Sequence, residues 1–103
     1  YTNTFMDSVM LRRHCLDNYF PGIVRDAEMP DLVGLIAPRP LFIEAGVDDH
    51  LFPLEGTEKA LATLRRVYAA AGADELLGHD LFPGKHEVCG RQSYPWLDRM
   101  LGL

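Results

Sequence analysis

No apolar run in this sequence is longer than a few residues, Leu41-Phe42-Ile43 being typical. A bilayer-crossing helix needs about 20 apolar residues, so none is encoded here. Cysteine is scarce: Cys15 and Cys89 are the only two, too few for a disulfide framework, and they are expected as small buried residues. Positive charge is in the minority, with 10 Lys and Arg against 15 Asp and Glu and a formal net charge of −5. Nucleic acid and anionic lipid are gripped by clustered cations. The one basic pair on a helical stretch, Arg65-Arg66, has acids close by, so neither partner is expected. Serine is scarce as well, limited to Ser8 and Ser93. What remains is ordinary globular composition, 48% hydrophobic and 24% charged over 103 residues, fitting one folded unit or part of one.

Punctuation and periodicity place the elements. Residues 37–46 set Pro38 and Pro40 ahead of a short apolar run that stops at Gly46. This reads as a strand covered on both faces, with Pro40 at its start where a missing N–H is tolerated. Over 57–71, Thr57, Leu61, Leu64, Tyr68 and Ala71 fall on one helical stripe, widened by Ala60 and Val67. Glu55 and Glu58 lie near the positive end, and Gly72 suits the C′ position. A second strand over about 76–82 alternates Leu77, His79 and Leu81 and ends at Pro83-Gly84. From about Ser93, read as an N-cap, a final helix buries Trp96, Leu97, Met100 and Leu101. The first forty residues are irregular: a short helix near Phe5, Val9 and Met10, a turn at 18–22, and a helical turn over 31–36. The fold class is therefore α/β, β-α-β-α with parallel strands, preceded by an irregular helical segment.

In a parallel sheet the loops leaving the carboxyl ends of the strands emerge on one edge, where reactive groups collect. Two such loops are present, Gly46-Val47-Asp48-Asp49-His50-Leu51-Phe52-Pro53 and Phe82-Pro83-Gly84-Lys85-His86-Glu87. One carries carboxylates and the other an imidazole. A hydroxyl nucleophile needs a base of near-neutral pKa, and that base needs a carboxylate to fix its tautomer and stabilise the imidazolium. Positions 49 and 86 are separated by one loop, one helix and one strand, which brings neighbouring exits side by side. Asp48 competes with Asp49 for the acid role. His14, His50 and His79 have no comparable partner, and His79 is expected to be structural. A zinc site drawn from His14, Cys15, His86 and Cys89 has suitable ligand types, but the spacings match no zinc pattern.

The segment Leu35 to Ile43, the Gly46-x-x-Asp49-x-x-x-Pro53 loop and the Gly84-x-His86-Glu87 turn resemble the C-terminal part of α/β-hydrolases. The likeness is to the acetyl xylan esterase and dienelactone-hydrolase-like branch, and His14-Cys15-x-x-Asn18-Tyr19-x-Pro21-Gly22 extends it over nearly the whole chain. The resemblance implies that Asp49 is the acid and His86 the base of a Ser-His-Asp triad hydrolysing small-acyl esters, with a small-molecule or carbohydrate ester as substrate and no cofactor. The nucleophile of that fold sits in a Gly-x-Ser-x-Gly elbow, and neither Ser8 nor Ser93 has those glycines. Neither cysteine sits in an elbow either. Residues 1–103 are thus expected to form the C-terminal portion of one hydrolase domain, with the nucleophile upstream of Tyr1. The alternative is an inactive truncated chain that binds a partner or itself. Acyl specificity, oligomeric state and compartment, whether cytoplasmic or secreted, are not encoded in these motifs.

Overall fold

The computed structural model describes all 103 residues, Tyr1–Leu103. Strand β1 spans Leu41–Gly46 and strand β2 spans Leu77–Phe82, paired in parallel with Leu41 opposite Leu77 and Gly46 opposite Phe82. Successive side chains alternate across a sheet, so this register puts Leu41, Ile43, Leu77 and Leu81 on one face and Phe42, Glu44, Asp80 and Phe82 on the other. Helix α2, Leu54–Ala70, covers the first face. Its Leu61 and Leu64 join Ile43 in a core that Val33, Leu41, Leu77 and Leu81 pack against. Helix α3, Ser93–Leu101, covers the second face, with Trp96 tilted against Phe42 at 5.4 Å between ring centroids.

The two strands and two helices form a mixed α/β unit with a two-stranded parallel sheet. Helix α2 begins three residues before the expected start, because Pro53 already presents its carbonyl to the amides of Gly56 and Thr57. At its other end Gly72 takes a left-handed φ of 65°, the conformation in which a Cβ is penalised and glycine is not. Buried Thr57 serves the stripe through a polar contact: its hydroxyl donates to the Thr2 carbonyl and receives the Asn3 amide, both at 3.1 Å. Ala71, expected on that stripe, is exposed beyond the helix end.

Three expectations are corrected. Leu97 and Leu101 of α3 are exposed, because a nine-residue helix against a two-stranded sheet has only one sheet-facing row, filled by Trp96. Ser93 is the first helical residue and not the cap; its hydroxyl donates to Glu44 at 3.0 Å, and Gln92 precedes the helix without a side-chain cap bond. Cys15 and Cys89 are exposed free thiols, since each sits in a loop with no packed element over it.

The irregular first third holds helix α1, Met29–Val33, running into a tight turn at Gly34–Ile36, with a π-helical turn at Phe5–Val9 before it. Long-range hydrogen bonds fix it in place. The Glu28 carboxylate accepts the amides of Phe5 and Met6, and the Asn3 side-chain amide donates to the Pro53 carbonyl at 2.8 Å. The first pair joins the π-helical turn to the start of α1, and the last ties the N-terminal segment to the loop leaving β1.

Candidate active site

The parallel register sets the site. With Gly46 opposite Phe82, both strands end at one level and both exit loops begin there. Val47 donates its backbone N–H to the Phe82 carbonyl and Asp48 its N–H to the Gly84 carbonyl, each at 2.9 Å. The ladder therefore continues past the strand ends and zips the two loops together.

Asp49 divides its carboxylate between two tasks. Oδ1 accepts the N–H groups of Leu51 at 2.8 Å and Phe52 at 3.0 Å, which winds residues 49–52 into a tight turn. Oδ2 lies 2.9 Å from Nδ1 of His86. The Asp49 side chain is fully buried while that of His86 is 39% exposed, so the imidazole stands between a carboxylate and solvent. Burial alone raises the Asp49 pKa, but the Phe52 N–H, the His86 imidazole and the Leu51 N–H together outweigh it and hold the carboxyl below its ordinary value. An ionised Asp49 only accepts, so Nδ1 carries the proton and the Nε2 lone pair is left for the outer side. The imidazole lies nearly parallel to Phe52, 5° between planes and 5.5 Å between centroids, and to Tyr1 at 23° and 4.8 Å. Tyr1 in turn donates its hydroxyl to the Glu87 carbonyl.

Asp48, one residue away, is exposed and its carboxylate has no hydrogen-bond partner, so the structure pairs His86 with Asp49. His50 is exposed. His79 sits on the α2 face of β2 with Nε2 3.5 Å from an Arg65 nitrogen.

A second serine and histidine meet where spacing had assigned them no role. Ser8 is buried, and its Oγ lies 2.8 Å from Nε2 of His14. The same Oγ donates to the Leu51 carbonyl at 2.5 Å. A hydroxyl has one proton, and here it goes to Leu51, so His14 Nε2 donates rather than accepts. A nitrogen already protonated is no base, and this pair clamps the Leu51 carbonyl instead of forming an activated nucleophile. No local sequence pattern signals the contact, because it exists only once the N-terminal segment is folded over residues 51–53.

Over 63 residues, 61% of this chain, the sequence is 40% identical to a protein of Bacillus subtilis (strain 168) named "Putative hydrolase YtaP". The chain is similar to a hydrolase. The aligned stretch covers 21% of that protein, so the chain spans about a fifth of its length. No family model matches the chain, and no solved structure does.

On the α3 side of the sheet, Glu44, Asp80 and Cys89 bring three potential ligand atoms within 4.8 Å of one another. The two carboxylates are already engaged. Glu44 accepts the amides of Cys89 at 3.2 Å and Gly90 at 2.7 Å besides the Ser93 hydroxyl. Asp80 holds Arg91 through two bonds of 2.7 Å, and that bidentate guanidinium pulls the Asp80 carboxyl below its ordinary range. A cation would have to displace Arg91. Glu44 and Asp80 instead anchor residues 89–93 to the sheet.

Proposed function

We propose that this chain supplies the acid, Asp49, and the base, His86, of a Ser-His-Asp triad that hydrolyses carboxylic esters of small acyl groups, acetyl esters of carbohydrate being the class the motifs favour. In this reading residues 1–103 are the C-terminal portion of an α/β-hydrolase domain, and the nucleophilic serine lies on chain preceding Tyr1. One observation carries the proposal: a fully buried, ionised carboxylate holds the inner nitrogen of a half-exposed imidazole, both at the carboxyl ends of adjacent parallel strands. The commitment of Ser8 to a backbone carbonyl agrees with a nucleophile elsewhere, and so does similarity to about a fifth of a longer hydrolase.

In the acylation half, Nε2 of His86 takes the serine proton as the oxygen attacks the acyl carbon, then returns it to the departing alkoxide. Asp49 keeps Nδ1 protonated and stabilises the imidazolium formed between the two transfers. Water repeats the sequence on the acyl-enzyme. Positioned proton transfer of this kind contributes roughly 10²–10⁴-fold.

The test is labelling of the protein from the complete reading frame with a fluorophosphonate, followed by peptide mapping and a p-nitrophenyl acetate assay. We expect one labelled serine, in a Gly-x-Ser-x-Gly sequence before Tyr1, and loss of labelling in His86→Ala. Absent labelling, or labelling indifferent to His86, overturns the proposal. A second reading, an inactive chain that associates with itself or a partner, draws on the exposed apolar residues Met6, Met10, Leu11, Leu16, Phe20 and Leu35. Absent labelling together with concentration-dependent sedimentation would favour it.

A further inference from the structure

Gly46 ends β1 directly beneath the turn that carries His86. Its φ is not in the left-handed region, unlike those of Gly22, Gly72, Gly90 and Gly102, so a tight exit turn does not explain the absent side chain. Space does. A Cβ at position 46 would overlap the carbonyl oxygen of Lys85 and lie 2.5 Å from that of Gly84. Both obstacles are backbone, which cannot swing aside as the tip of a side chain can.

We propose that Gly46 is a positioning residue for His86, a role that builds on the reading of His86 as the base. The missing side chain lets residues 83–87 settle onto the end of β1, where Asp48 reaches the Gly84 carbonyl and His86 reaches Asp49. Relieving a 2.5 Å approach to an ordinary contact of at least 3.4 Å lifts the turn by about 1 Å. The Asp49 to His86 bond, at 2.9 Å, does not survive such a shift with useful geometry. Misplacement of about 1 Å at a reacting group costs on the order of 10²-fold in rate.

The experiment compares Gly46→Ala with Gly34→Ala, whose added Cβ would meet Val67 at an ordinary 3.5 Å. The direct readout is the low-field proton resonance of His86 Nδ1–H, recorded beside far-UV circular dichroism. We expect G46A to keep its secondary structure and lose or shift that resonance, with kcat on the activated ester down about 100-fold and KM little changed. G34A should keep both. Because the turn is also held by the Glu87 carboxylate on the Lys85 N–H at 3.0 Å, the double variant G46A/E87A frees it to yield should G46A fail to fold. We expect that variant to fold with the resonance still displaced. A wild-type resonance in either folded variant overturns the proposal, as does failure of both to fold, which would make Gly46 a requirement of the fold and not of loop placement. A displaced resonance in a protein without esterase activity would leave the positioning role standing and remove the catalytic reading.

Discussion

The divided Asp49 carboxylate makes one substitution pair especially informative. Asp49→Asn keeps an oxygen to accept the Leu51 and Phe52 amides, so the turn survives; what it loses is charge, costing about 1 kcal/mol. The other atom of the new side chain is an amide NH₂ facing Nδ1, which forces the imidazole into the tautomer with Nε2 protonated. That nitrogen then has no lone pair for a serine proton, and kcat should fall about 10⁴-fold, as the equivalent change does in a serine protease. Asp49→Ala loses the acceptor altogether. His86 Nδ1–H can turn to water, but two part-buried turn amides are left unpaired at roughly 1–3 kcal/mol each, so the cost is about 2–6 kcal/mol. For a domain of this size 1 kcal/mol moves Tm by about 4–8 °C. Calorimetry should place Asn about 4–8 °C below the parent and Ala about 8 °C or more below it, while ester hydrolysis is lost to a similar degree in both. Equal Tm values, or an Asn variant retaining a tenth of the parent activity, would refute the division of labour between Oδ1 and Oδ2.

Stability should also fall on acidification. Asp49 and Asp80 both have folded-state pKa values below the ordinary 3.8, so the unfolded chain binds protons first: their contribution is complete above the unfolded value and is lost as pH drops through the folded ones. Denaturant midpoints should be flat above about pH 5 and decline below about pH 4, and Asp49→Asn with Asp80→Asn should flatten that decline; a midpoint rising with acid would contradict the assignment. Leu64→Ala, at a fully buried position against Ile43 and Leu61, should cost about 2–5 kcal/mol in urea unfolding, and a loss under 1 kcal/mol would mean the core is not closed there. Tyr68→Phe removes a hydroxyl that donates to the Arg39 carbonyl at 2.6 Å, and we expect a loss of about 1 kcal/mol with no change in the far-UV spectrum.

What could be read from the sequence was whatever local pattern controls. The stripe from Thr57 to Tyr68 announces α2 because a 17-residue helix repeats its buried face often enough to be counted. The strands are marked by Pro40, Gly46 and Pro83-Gly84, and their parallel pairing follows from the helix between them. That pairing is why a 37-residue separation in sequence places the carboxylate and imidazole loops side by side. The division of Asp49 between turn and imidazole was not legible, nor the cost of a side chain at Gly46, since both depend on where the second loop comes to rest. The first 28 residues were least legible. Their buried members include Thr2, Asn3, Thr4 and Ser8; Asn3 reaches Pro53 and Thr57, the Thr2 carbonyl takes the Thr57 hydroxyl and Ser8 reaches Leu51, while Thr4 bonds Asp7 locally, and no apolar periodicity reports such contacts. The exposure of Leu97, Leu101 and both cysteines has the same origin, because burial depends on what lies opposite.

On the proposed reading, a group that serves folding with one oxygen and chemistry with the other cannot drift as its partner can. Were selection for turnover relaxed, His86, half-exposed and tied to the fold by a single hydrogen bond and ring stacking, could be exchanged at small cost, while Asp49 would remain under selection for the turn it closes. Saturation libraries sorted for folding alone should therefore tolerate many residues at 86 and few at 49, and libraries sorted for hydrolysis should admit neither. Sequence tolerance itself would separate the two duties proposed for one carboxylate.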